Sequence, residues 1–151
     1  DILKKHFVLF DLSRSLLSFS TRPHFISPIR LQLGSFMGIP AVEAVAEGIS
    51  GQMFIDTGAR LSYVHSSIVK NMKAIGKEKD FYTGMGEFET AVYAVDFVMG
   101  RESFSLRCGV LPALLETTLL VSGQAGIFGT EFFSKFQVQL AFPQNALYLR
   151  S

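Results

Sequence analysis

The sequence is poor in the residues that carry metal, redox or membrane chemistry. Its single cysteine, Cys108, excludes an internal disulfide, so the fold does not depend on an oxidising compartment. Three histidines, His6, His24 and His65, stand far apart without metal-ligand spacing and read as surface or hydrogen-bonded side chains rather than zinc ligands. Uncharged runs are short; Thr117 to Thr130, as long as any, is broken by glycines and falls short of a membrane span. A net charge of +1 with scattered Lys and Arg leaves no basic stripe for nucleic acid. No signal peptide is visible, and a first residue that is Asp rather than Met predicts a fragment or processed product, which can have lost one. What is present is apolar bulk: 151 residues that are 48% hydrophobic, with 15 Phe, can bury the core of one soluble domain.

Within that bulk, Phe54-Ile55-Asp56-Thr57-Gly58-Ala59 sets a carboxylate between an apolar strand and a small-residue turn. Strands are depleted in Asp, and a carboxylate beside a buried run is costly unless paired or protonated. Met53 to Ile55 read as a short buried strand ending at Asp56, where a rigid scaffold presents reactive groups. Thr57 can lock a hydroxyl into a hydrogen-bond network, and Gly58 permits a sharp turn and close approach of a substrate. The plain alternative is a turn after a strand, since all three residues are turn formers.

A second element lies downstream. Ala125 to Gly129 reads as an apolar strand with a glycine stop, followed by one or two helical turns from Thr130, a possible N-cap, to Phe136. Gln137 to Leu140 alternates, Pro143-Gln144-Asn145 marks a turn, and Ala146 to Leu149 forms a return strand.

In FIDTGARLSYV and GIFGTEFFSKFQV, in this order and separation, the chain resembles the retropepsin-like aspartic proteases over roughly residues 28 to 151. The resemblance implies an all-β acid-protease lobe, a closed or partly open barrel with a flap hairpin and one short C-terminal helix. It implies Asp56, Thr57 and Gly58 as catalytic, with Ile127-Phe128-Gly129 supporting the loop from behind. Ala59 and Arg60 would border the substrate, and no cofactor or metal is implied. The viral members carry an acidic residue after Asp-Thr-Gly-Ala and an arginine after the apolar-apolar-Gly element. Here Arg60 and Thr130-Glu131 stand instead, which predicts a charge-reversed contact between Arg60 and Glu131, against Arg60 simply solvated at the cleft rim.

Between the motifs, Leu61 to His65 reads as the strand leaving the turn, and Ser66 to Met72 as a short helix capped by Ser66 or Ser67. Thr83-Gly84-Met85-Gly86 sits at a hairpin tip, either a flap that closes over a bound peptide or a plain glycine turn. Gly84-Met85-Gly86 leads into no strong helix and is a poor phosphate loop. Strands follow over residues 90–99 and 103–111, the first covering Val92, Ala94 and Val98, with Val95 and Phe97 spoiling strict alternation. Residues 112–124 are a loop or short helix. Cys108 reads as a small core residue, although His65 could approach it.

Residues 1–27 form an N-terminal extension that repeats the end of the chain. Asp1 to Leu12 matches Glu131 to Phe142 at a shift of 130 residues, Ser13-Arg14-Ser15 stands where Pro143-Gln144-Asn145 stands, and Leu16 to Phe19 repeats Ala146 to Leu149. Either this hairpin is the tail of a preceding lobe, or amphipathic hairpins simply look alike.

Aspartic protease chemistry needs two carboxylates sharing a proton around a water, and only Asp56 has the required surroundings. The second aspartate therefore comes from another copy in a homodimer, or from a preceding lobe. In retropepsins the terminal strands of both chains interleave; Leu147 to Arg150 is the counterpart, which the hairpin of residues 7–19 would join or replace. The implied function is endopeptidase action on a polypeptide substrate; the alternative is a catalytically silent module of the same fold that binds a peptide or protein.

Overall fold

The computed structural model describes residues 2–151 and arranges them around one twelve-stranded sheet. Its strands are β1 (Phe7–Asp11), β2 (Leu16–Ser20), β3 (Ile29–Phe36), β4 (Ile39–Ala46), β5 (Ile49–Ile55), β6 (Ser62–Val64), β7 (Gly76–Tyr82), β8 (Gly86–Met99), β9 (Glu102–Gly109), β10 (Gln124–Phe128), β11 (Gln137–Ala141) and β12 (Ala146–Arg150). They lie in the order β2-β1-β11-β12-β3-β4-β5-β10-β6-β9-β8-β7, and a further pairing of β4 with β8 curls the sheet back on itself as a barrel. Among the described residues two α-helices, α1 (Ala113–Val121) and α2 (Thr130–Lys135), and three short 3-10 segments complete the fold.

Turn chemistry fixes the register of the first meander. Met37-Gly38 joins β3 to β4 and Glu47-Gly48 joins β4 to β5, each pair with both φ angles positive (50° and 84°, 48° and 79°). A two-residue turn of that kind matches the twist of the strands it joins, and glycine takes its second place without steric cost.

Two groups of phenylalanines have distinct places. Phe97, Phe104, Phe128, Phe132 and Phe136 pack ring against ring, with Phe128 and Phe132 stacked at 4.5 Å between centroids, and they fill the barrel with Met53, Leu106 and Leu147. Phe36, Phe54, Phe81 and Phe88 instead line a surface cleft.

Several local expectations change. Residues 66–72 form successive turns, not a helix, closed by Ile68 N–H to His65 O (3.0 Å) and Met72 N–H to Val69 O (2.9 Å). Burial of the β-branched Ile68 and Val69 in the core fixes this path, and the Glu116 carboxylate takes the Ser66 N–H at 2.6 Å. Along β8 the buried set switches face: Val92 packs with Leu61 and Tyr63 in a small cluster, whereas Val95, Phe97 and Met99 enter the main core. Ala94 and Val98 are consequently exposed, because this long strand serves two layers in turn. Thr130 is the first residue of α2 and not its cap, which is Gly129.

The N-terminal hairpin is part of the sheet. β1 pairs antiparallel with β2 on one side and β11 on the other. Asp1, the acidic start of the expected repeat, lies outside the described residues. Gln139 of β11 is fully buried there, its Oε1 accepting the His24 N–H at 2.6 Å and its Nε2 donating to Phe25 O at 3.3 Å. Buried Asp11 accepts from Ser13 Oγ and from Gln137 Nε2, both at 2.6 Å, so it ties the two hairpins together.

The Ser13 hydroxyl, followed by Gln137 and Arg14, holds the Asp11 carboxyl below its ordinary range against the opposing effect of burial. A carboxylate lowered on folding contributes stability above its unfolded value, near 3.9 in general, and loses it as the pH falls through the folded one. Thermal midpoints followed from pH 5 to 2.5 are expected to fall more steeply in the wild type than in Asp11→Asn.

Candidate active site

The site is built by a crossing. β5 ends at Ile55, the chain turns through Asp56-Thr57-Gly58, and it re-enters the sheet as β6. Between those two strands runs β10, parallel to β5 and antiparallel to β6, so the turn passes over the end of β10. The Asp56 N–H donates to Phe128 O at 3.0 Å, and Thr130 N–H donates to Ala59 O at 2.8 Å. Thr130 Oγ1 holds Arg60 O at 2.9 Å, and Ser62 Oγ accepts the Gly129 N–H at 3.0 Å. A Cβ on Gly129 would lie 2.6 Å from the carbonyl oxygens of both Ala59 and Leu61, so only glycine fits beneath the turn. Ile127-Phe128-Gly129 thus lies directly behind Asp56.

Asp56 is exposed at the head of the turn, with Oδ1 accepting the Gly58 N–H at 2.8 Å. Thr57 is exposed beside it, and the hydrogen bonds of the turn do not use its hydroxyl. Asp56, Gly58, Ala59 and Arg60 form the floor of a cleft of about 670 Å³. One wall comes from Phe36, Met37 and Ile39 at the β3–β4 tip, another from Leu115, Thr118 and Leu119 of α1, and Phe81, Tyr82 and Thr83 overhang from the β7–β8 hairpin.

That hairpin turns at Thr83-Gly84-Met85, with Met85 N–H donating to Tyr82 O at 3.0 Å. Thr83 lines the cleft, whereas Gly84, Met85 and Gly86 make the tip beyond the lining. Side chains around the Asp56 turn anchor the hairpin's base. Tyr63 of β6 donates a short hydrogen bond from its hydroxyl to Asp80 Oδ2, and burial, then this bond, raises the phenol's pKa well above its usual value. Arg60 reaches Glu78 at 2.9 Å and Lys79 O at 2.7 Å, and Arg107 also pairs with Glu78.

The expected Arg60–Glu131 contact is therefore absent. Thr130 takes Arg60 by its backbone, leaving the guanidinium free to turn toward β7, while Glu131 Oε1 accepts the Arg107 N–H at 3.4 Å. His65 does not serve Cys108. Its Nδ1 is 2.7 Å from Ser67 Oγ and its Nε2 is 3.5 Å from Glu116, whereas Cys108 is buried with its thiol pKa pushed up by burial. Sequence reasoning missed Tyr63 and Asp80, the hairpin's latch, since nothing in their 17-residue separation signals a contact.

Among solved structures the chain is similar to a retropepsin-like aspartic protease from Rickettsia conorii, at 17% identity and a TM-score of 0.53, over 80% of this chain and 88% of that one. The chain has the retropepsin-like aspartic protease fold. It also aligns with the simian foamy virus protease (16% identity, TM-score 0.45, 60% of this chain and 88% of that one). The EIAV protease, in complex with the inhibitor HBY-793, aligns at 18% identity and a TM-score of 0.44, over 68% of this chain and 91% of that one. The sequence matches no protein-family model and no curated protein sequence. Among the described residues no helix is long and apolar enough to cross a membrane.

Two substitutions probe this architecture. Gly129→Ala is expected to destabilise by about 1–3 kcal/mol in denaturant melts, because its methyl group meets backbone on two sides and neither carbonyl can rotate away. Tyr63→Phe removes the donor to Asp80 and is expected to accelerate amide exchange over residues 80–87 while leaving the β3–β5 amides unchanged.

Proposed function

We propose that this chain supplies half of the active site of an aspartic endopeptidase, with Asp56 as one of its two carboxylates. The observation that carries the reading is the Asp56 carboxylate at the floor of the cleft, oriented by the Gly58 N–H at 2.8 Å and backed by Ile127-Phe128-Gly129. The second carboxylate belongs across a two-fold axis, from a second copy in a homodimer or from a preceding lobe. Two carboxylates at hydrogen-bond range cannot both ionise cheaply, so they share one proton and hold a water between them.

The ionised member takes a proton from the water as its oxygen attacks the scissile carbonyl carbon, and the protonated member polarises the carbonyl oxygen. Proton delivery to the amide nitrogen then breaks the C–N bond, leaving a carboxylic acid and an amine. Thr57, beside Asp56 with its hydroxyl unused within the turn, is available to the facing half of the site. Ala59 and Arg60 border the substrate at the floor and Thr83 from above. Gly84, Met85 and Gly86 form a flap tip whose backbone meets an extended peptide as a strand would. The apolar walls from Phe36, Phe54, Phe81 and Phe88 suit a polypeptide with large apolar side chains.

Asp56→Asn, compared with the wild type on a peptide library at acidic and neutral pH, is expected to lose cleavage by about 10²–10⁴-fold or more while keeping its fold by circular dichroism. Equal cleavage by both proteins would exclude Asp56 from the chemistry.

A further inference from the structure

The two hairpins that meet at the β1–β11 pairing are related by more than pattern. Each pairs its strands in the same register after a shift of 130 residues: Phe7↔Ser20 and Asp11↔Leu16 become Gln137↔Arg150 and Ala141↔Ala146. Each turns through a three-residue 3-10 segment, 12–14 and 142–144, closed by a left-handed residue, Ser15 (φ 52°) and Asn145 (φ 46°). Between them the pairs Val8↔Leu140, Leu9↔Gln139 and Phe10↔Val138 are symmetric about the Leu9–Gln139 pair. The hairpins are thus exchanged by a local two-fold axis normal to the sheet.

Their surroundings are not exchanged. On β12 the side chains of Leu147 and Leu149 are fully buried in the barrel core, and the outer edge of β12 is paired with β3. Their counterparts on β2, Leu17 and Phe19, are 53% and 54% exposed, and β2 ends the sheet with an unpaired edge. An apolar strand with a free edge is an unfinished surface. What finishes it is given by the symmetry: a strand equivalent to β3 on the edge of β2, and a barrel over Leu17 and Phe19.

We propose that the β1–β2 hairpin is the closing hairpin of a second lobe of this same fold, carried upstream in the same polypeptide. Its core packs on Leu17 and Phe19, and its β3 equivalent extends the sheet past β2. A homodimer built on the same axis would require a partner's β11–β12 hairpin where β1–β2 already stands, so the partner lobe is joined in cis. That this lobe also supplies the second aspartate, one 130-residue repeat before Asp56, rests on the endopeptidase reading. The docking itself does not.

The test combines hydrogen exchange with sedimentation on the full-length polypeptide. The β2 amides that point away from β1 are expected to be slowed at least about a hundredfold, comparable with those of β12, in a protein that sediments as a monomer at all concentrations. Fast exchange at β2 overturns the proposal, because nothing then covers the edge. Protection that appears only in a dimer also overturns it, since the cover is then a second copy. Neither measurement depends on cleavage, so a catalytically inert Asp56 and a wrongly assigned partner lobe give different results.

Discussion

The end of β10 passes beneath the Asp56 turn at a separation that admits no side chain, and two backbone hydrogen bonds clamp the crossing on either side of Gly129. The strand cannot shift without breaking the Asp56 N–H bond to Phe128 or the Thr130 N–H bond to Ala59. Phe128, facing the other way, is stacked on Phe132 in the core. Packing of the barrel and orientation of the carboxylate are therefore one constraint: what fixes the aromatic core also fixes the turn. The start of α2 follows from the same contact, since Thr130 is held by both its N–H and its hydroxyl.

How much of this was legible depends on the range of the forces involved. The strand before Asp56, the glycine behind it, the β7–β8 hairpin and the repeated hairpin all leave short-range marks, in alternation, turn residues and spacing. The partner of Arg60 leaves none. Glu78 and Glu131 are equally acidic in sequence, and only the way Thr130 captures the Arg60 backbone decides between them. Residues 66–72 misled because serines before an apolar run are a helix signal, which burial of Ile68 and Val69 overrode. The division of phenylalanines between core and cleft is likewise a tertiary fact, invisible to composition.

The β7–β8 hairpin is fastened at its base and not at its tip. Tyr63, Arg60 and Arg107 all bind within Glu78 to Asp80, and the two guanidinium groups are more than half exposed where they share Glu78. Exposed pairs of this kind contribute only about 0–1 kcal/mol each. Their effect is to anchor the stretch from Glu78 to Asp80 beside the Asp56 turn, and Thr83 to Gly86 lie beyond it.

If a second lobe closes over Leu17 and Phe19 as proposed, the unequal exposure of the two hairpins bears on how the joint site would read a peptide. An enzyme made of two identical halves presents the same wall on both sides of its axis, although a peptide has a direction and differs at its two ends. Two lobes joined in one polypeptide are free to diverge, each needing to suit only one end of the substrate. On the proposed two-lobe arrangement, the aromatic wall of Phe36, Phe54, Phe81 and Phe88 would face one side of the bound peptide alone, and the lobe opposite would be released to recognise something else.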